Sequence, residues 1–244
     1  MHKVRTTALW SGRGRLPAAW GGLLGEQAMS LVRLSRHAGT HSLRVQACEQ
    51  ARVDRAQAPG DSPTPWWQPQ LQRIARPRSS IWKAVPWPSQ VPLALAWPQA
   101  CCRQGVLAWP GATDTPALLA EVHLEAAAAL DLPPADVGFD FQPAAESGTV
   151  HWAAAVRAEL LACQRQVRAA GWRVLHIEPE ALAVRRAAEC LLGEPSLPWA
   201  LPVHDWQFAG RAQRSVPDAV WQALQNSPHW ALLAACGAAL AVLA

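Results

Sequence analysis

VPLALAWPQACCRQGVLAWP (91–110), GATDTPALLAEVHLEAAAALDLPPADVGFDF (111–141) and GTVHWAAAVRAELLACQRQVRAAGWRVLHIEPEALAVRRAAECLL (148–192) set out strands and helices in close order, and no catalytic motif interrupts them. Leu93–Trp97 and Gln104–Trp109 read as strands, closed by Pro98 and Pro110. Thr115 is placed as an N-cap with Pro116 at the first helical position. Leu118, Leu119, Val122, Ala126, Ala129 and Leu130 then repeat at helical spacing until Pro133 and Pro134 stop the helix. Val137–Phe141 and Thr149–Val156 predict two further strands around a turn at Ser147 and Gly148. A helix over Arg157–Ala170 ends at Gly171, a residue free to take the left-handed conformation that terminates helices. Trp172–Ile177 follows as a short strand. Pro179 opens a helix through Leu192, with Leu182, Ala183, Ala187, Cys190 and Leu191 on one face.

On the N-terminal side, Met29–Leu34 and Ser42–Ala47 alternate apolar and polar residues about a turn with Gly39, which predicts a hairpin. His37 and His41 stand in that turn, so their spacing of four does not make a helical metal site. Residues 51–90 carry seven prolines and little periodicity, an irregular connection with one short helix at Pro69–Ala75. Beyond Gly193 a proline-rich linker leads to helices near Val216–Gln225 and Pro228–Leu243. The uncharged run Trp230–Ala244 falls short of the roughly 20 residues that span a bilayer, and it is expected to be a buried helix. The opening MHKVRTTALWSGRGRLPAAWGG lacks the apolar core of a secretory signal, because Arg13, Gly14 and Arg15 break it.

Half of the 244 residues are hydrophobic, which suffices for a substantial core, while 14 Trp, 21 Pro and no Tyr make the composition unusual. Charge is split: residues 1–100 hold 13 Lys+Arg against 4 Asp+Glu, and residues 101–244 hold 9 against 14. Trp66, Trp67, Trp82 and Trp87 near Arg73, Arg76 and Arg78 are a combination that stacks bases beside phosphates in nucleic-acid binders, yet no RNA-binding signature accompanies them. The six cysteines include no C-x-x-C pair, which argues against zinc or dithiol chemistry and suits a reducing compartment. No G-x-S-x-G elbow is present, His204 and Asp205 are adjacent in a linker, and Glu178 with Glu180 reads as the acidic start of a helix.

LALAWPQACCRQGVLAWPGATDTPALLAEVHLEAAAALDLPPADVGFDF (93–141) and AAAVRAELLACQRQVRAAGWRVLHIEPEALAVRRA (153–187) together resemble the PilM family of type IV pilus assembly proteins, also called competence protein A. These are actin-like proteins related to FtsA. The resemblance implies an α/β chain: a partial actin-like, ribonuclease H-like fold with an inserted strand-helix-strand-strand subdomain. The implied organisation is N-terminal strands and a Pro/Trp-rich connection over 1–90, the insert over 91–156, a helix-strand-helix over 157–192, and a linker with terminal helices over 193–244.

WGGLLGEQAMSLVRL (20–34) aligns with the family's first phosphate loop, of the form Gly-x-Asp-x-Gly followed by hydroxyl residues and a Lys. Gly21 and Gly25 match it. Leu23 stands at the Asp position, Glu26 and Gln27 at the hydroxyl positions, and Ser30 at the Lys position, so the loop has lost its Mg2+ and phosphate ligands. No room follows Leu192 for a second phosphate loop. SPHWALLAACGAALAVLA (227–244) resembles the family's closing helix, arriving early. The chain is therefore expected to be a degenerate or shortened member that binds no ATP, metal or other cofactor.

The function expected from the resemblance is a non-catalytic cytoplasmic scaffold at the inner face of the inner membrane. Its partner is the cytoplasmic tail of a PilN-like bitopic protein, gripped as an extended peptide beside a sheet. The alternatives are an actin-like ATPase, a secretion-platform component resembling GspL, and a basic, Trp-rich nucleic-acid binder.

Overall fold

The computed structural model describes residues 17–36, 42–53, 64–75, 91–109, 116–144, 148–193 and 202–243. These fall into two compact units, one of residues 99–165 and the other of residues 17–98 and 166–243.

The larger unit is built on a six-stranded mixed sheet in the order β8-β4-β1-β2-β3-β9. β1 (Ala18–Leu24), β2 (Ala28–Arg36) and β3 (Ser42–Arg52) form an antiparallel meander. β4 (Val91–Trp97) then adds parallel to β1, and β8 (Trp172–Pro179) adds parallel to β4. A meander followed by two parallel strands on the side of β1 is the ribonuclease H-like order. Two strands were illegible in the sequence: β1, with its adjacent glycines, and the three-residue β9 (Gln207–Ala209), which pairs with the start of β3.

One face of this sheet is lined by small and branched residues, Ala19, Val32, Leu34, Ala94 and Ala96. Against it lie α4 (Glu180–Cys190) and α6 (Trp230–Leu243). A third helix, α5 (Asp218–Gln225), contributes the buried Leu224 to the same core. α6 is apolar all round and nearly all of it is buried, as suits a helix enclosed by protein on several sides. Its closeness to its neighbours is set by glycine: a Cβ at Gly21 of β1 would fall 2.6 Å from the Ala239 nitrogen and inside the Ala235 carbonyl. Arg36 donates to the Leu243 carbonyl and satisfies an acceptor that the end of α6 leaves open. The opposite face of the sheet carries Trp20 and Trp172, whose rings meet edge to face at 5.5 Å. The buried Trp172 donates its indole N–H to the Leu71 carbonyl of α1 (Gln68–Ala75) at 3.0 Å. Among the described residues no single helix is long and apolar enough to cross a membrane, and α5 with α6 passes only as a pair bent by 115°.

The smaller unit has a three-stranded antiparallel sheet in the order β5-β7-β6, formed by β5 (Cys102–Ala108), β6 (Val137–Pro143) and β7 (Thr149–Val156). α2 (Pro116–Leu130) covers one face with Leu118, Val122, Ala126 and Ala127, which meet Val137, Val150, Trp152 and Ala154. Ala129, expected on the buried stripe, is exposed, and Ala127 takes its place. The helix ends in a Schellman motif with an aspartate at the left-handed position: Asp131 has φ 53°, its N–H donates to Ala128, and that of Leu132 donates to Ala127. α3 (Arg157–Ala169) leads from β7 towards β8 and stops at Gly171, whose φ of 91° bears out the expected terminator.

The expected boundary of the insert at residue 91 is corrected by this topology. Val91–Trp97 pairs with β1 and β8 in the large sheet, so the strand-helix-strand-strand unit consists of β5, α2, β6 and β7 alone. Most of the described residues of the stretches 1–90, 157–192 and 193–244 share one core.

Candidate functional site

The aligned phosphate-loop residues do not form a loop. Gly21 and Leu23 lie inside β1 and Ser30 inside β2, with Leu23 directly opposite Ser30 in the ladder. Gly25, Glu26 and Gln27 stand in the turn, the Gly25 N–H donating to Ala28 at 2.9 Å and its carbonyl accepting the Trp66 indole N–H at 3.3 Å. Gly21 is needed for the approach of α6, Leu23 packs on the main core, and the buried Ser30 hydroxyl accepts from Gln50 at 3.2 Å. The exposed turn residues are Glu26 and Gln27, one an anion and the other neutral. That set holds no cation to neutralise a polyphosphate and repels one through Glu26.

A polar cluster that the sequence reading missed lies under α6. Glu178 of β8 is buried and pairs with Arg186 of α4, which also donates to the Gly237 carbonyl of α6 at 3.2 Å. His176 lies 3.6 Å from the other Glu178 oxygen. Burial alone raises the Glu178 carboxyl, but His176 and the Arg186 guanidinium together outweigh it and hold the group below the usual carboxylate range. Glu180 opens α4, as expected, and accepts the Trp230 indole N–H at 2.5 Å. These groups fasten β8 to α4 and α4 to α6.

The smaller unit presents open backbone. Both β5 and β6 are edge strands among the described residues. Trp109 donates its N–H to Gly148 across the β5–β7 ladder at 2.7 Å. Inward and outward groups alternate along an antiparallel strand, so Leu107 and Gly105 also face β7, while Gln104, Val106 and Ala108 turn their N–H and C=O outward. The same count on β6, from the Ala144 N–H bonded to Thr149, turns Val137, Phe139, Phe141 and Pro143 outward. Val137 donates to Pro134, Phe141 donates to the Asp140 carboxylate at 2.9 Å, and Pro143 has no N–H. The edge of β6 is thereby blunted. On β5 the Cys102 carbonyl accepts from Arg103 at 3.2 Å, and the outward backbone groups of the three residues beyond it have no partner among the described residues. Val106 is 59% exposed.

Over Gly105 lies the ring of Trp152, its ladder partner on β7. A Cβ at Gly105 would sit 2.8 Å from the indole Nε1 and 2.6 Å from Cε2. That Nε1 is buried and has no hydrogen-bond partner among the described residues.

The other residues singled out in the sequence are scattered. Trp67 is buried, and the half-buried Trp66 is tied by its indole N–H to the β1–β2 turn. His204 and Asp205 form an exposed pair at 4.0 Å. Thr115, His37, His41, Trp82, Trp87, Arg76 and Arg78 lie outside the described residues. No group of three metal-ligating side chains occurs among the described residues, and all six cysteines are free thiols. Burial raises Cys163 to about 12 and Cys190 to about 11.

No protein-family model matches the chain, and no curated protein matches it. Among solved structures it is similar to Cyto-EpsL, the cytoplasmic domain of EpsL, an inner membrane component of the type II secretion system of Vibrio cholerae. The identity is 14% and the TM-score 0.47, over 69% of this chain and 60% of that one. It is also similar to the PilM-PilN type IV pilus biogenesis complex, at 19% identity and a TM-score of 0.49, over 72% of this chain and 51% of that one. The chain thus spans 60% of the first and 51% of the second.

Proposed function

We propose that this protein is a non-catalytic scaffold of pilus or secretion assembly, working at the cytoplasmic face of the inner membrane. It holds the cytoplasmic tail of a one-span membrane protein as an added strand on β5. The sequence resemblance to the PilM family supplies the class of partner. The observation that carries the binding mode is the edge at Gln104, Val106 and Ala108, open among the described residues and with an outward donor and acceptor on each, beside a β6 edge that is blunted. Strand addition draws affinity from such backbone groups and specificity from alternate side chains. The β1–β2 hairpin supports the non-catalytic part of the reading: Leu23 and Ser30, paired across its ladder, stand at the positions where the resemblance places Asp and Lys.

Isothermal titration of the full chain with the synthetic cytoplasmic tail of the one-span protein encoded beside it tests the proposal. Binding with a Kd of about 1 μM, on the order of −8 kcal/mol, is expected. Val106→Pro removes an outward N–H without touching the ladder to β7, so it should weaken the tail more than tenfold while Leu107→Pro unfolds the strand. Equal binding by Val106→Pro, or micromolar binding of Mg-ATP, contradicts the proposal.

A further inference from the structure

The β5 edge carries two side-chain donors on the side of the sheet that α2 covers. Trp152 extends from β7 across Gly105, and the nearness of its Nε1 and Cε2 to the Gly105 Cβ position brings the far rim of the indole above the edge strand. Trp152 is 6% exposed and its N–H is unanswered among the described residues. A buried donor left without an acceptor is costly, and such groups are rare in folded proteins. Two residues along β5, the period of two places Arg103 on the same side as Gly105. Arg103 is exposed, and its guanidinium donates to the neighbouring Cys102 carbonyl. A glycine at position 105 leaves the room that the indole occupies, since any side chain there would collide with the ring.

We infer that the strand added to β5 bears a carboxylate, Asp or Glu, on the side facing Arg103 and the Trp152 indole. This rests on the proposed strand addition and specifies its partner chemistry. The backbone groups of Gln104, Val106 and Ala108 are indifferent to sequence, whereas the indole N–H and the guanidinium select acceptors with negative charge. A lysine at that place on the guest strand would meet Arg103 with like charge and leave the indole unanswered. A second copy of this chain pairing β5 against β5 supplies no acid from that strand, whose residues 102–108 are CRQGVLA.

The test uses the full chain with 15N-labelled tryptophan and the synthetic tail, alongside a copy of the tail with every Asp changed to Asn and every Glu to Gln. The native tail is expected to move one indole N–H resonance downfield and slow its exchange with solvent. Trp152→Phe identifies that resonance. The neutral copy should bind about tenfold more weakly, and Arg103→Gln should weaken the native tail while leaving the neutral copy unchanged. Arg103 is exposed, so this second variant stands even where Trp152→Phe fails to fold. Equal binding of both tails with a stationary indole resonance overturns the inference and leaves the strand addition intact. Loss of all tail binding, or Val106→Pro without effect, overturns the strand addition itself. Concentration-dependent dimerisation abolished by Val106→Pro assigns the edge to a second copy and likewise overturns the inference.

Discussion

Replacing Gly237 by alanine tests how α6 is held. At an unconstrained helix position the change gains about 1 kcal/mol, because glycine is the poorer helix former. Here the new methyl would lie 2.9 Å from the Ala183 Cα and closer still to its carbonyl, and these are backbone atoms of α4 that no rotamer change can move. α6 has no slack on its other side. Ala235 stands two residues, about 200°, around the helix, and its carbonyl meets the bare backbone of Gly21 in β1. α4 and α6 must therefore part by on the order of 1–2 Å, an overpacking that costs about 1–3 kcal/mol and sometimes more. The Arg186 bond to the Gly237 carbonyl is lost with it, a charged hydrogen bond of about 1.5–3 kcal/mol. After the helix-forming gain is set against these, the expected net loss is about 2–4 kcal/mol. Urea unfolding, followed by pulsed amide exchange in peptides of β1 and α6, isolates the six-stranded unit from the other. With a slope of about 2–3 kcal/mol per molar, the midpoint should fall by about 1 M. A midpoint that rises would refute the reasoning and mean that α6 leaves the sheet, as a membrane-seeking helix would.

Other outcomes follow from the same contacts. Arg186→Met should cost about 2–3 kcal/mol, less than the roughly 3–5 of a fully enclosed pair because the Arg186 side chain is 33% exposed; thermal unfolding at pH 7 measures it. The depressed Glu178 carboxyl contributes stability that is complete above the unfolded carboxylate pKa of about 4.3 and disappears as pH falls through the lower folded value. The stability gap between wild type and Glu178→Gln should therefore begin to narrow below about pH 4.3 and close only below the lower folded value, and a gap independent of pH counts against the ion pair. With an aqueous thiol reagent at pH 8, Cys48 should react first and Cys163, Cys190 and Cys236 only on unfolding, since the latter three are buried. Fast labelling of Cys236, read by mass spectrometry, would be incompatible with α6 lying on the sheet.

The middle of the chain was legible because its elements carry their own punctuation. Pro116, Gly171 and Pro179 mark helix ends, and β7 runs over Thr149–Val156 as expected. β1 was hidden by Gly21 and Gly22, which read locally as a loop. Gly21 answers to α6, more than two hundred residues away in sequence, and Gly22 to the side chains of Leu31 and Leu95. β4 was assigned to the wrong sheet because its partner β1 lies some seventy residues earlier, and a parallel pairing leaves no turn signal between the two. β9 is three residues in a proline-rich stretch and takes its conformation from β3. For the site, the alternation of β5 and β7 was readable. Which edge stays open was not: it depends on Asp140 turning back to the Phe141 N–H and on the Val137 N–H finding Pro134. The Glu178–Arg186 pair likewise joins a strand to a helix across Pro179, a geometry that reading the two acids as a helix start does not supply.

Residue-resolved hydrogen exchange of the full chain, alone, with the synthetic tail and with Mg-ATP, addresses the central claim most directly. The account predicts that the tail slows exchange of the Gln104, Val106 and Ala108 amides and leaves the Leu107 amide, already bonded to β7, unchanged, while Mg-ATP alters nothing. Protection by Mg-ATP of the amides between Leu24 and Ala28, with no response in β5 to the tail, would contradict it.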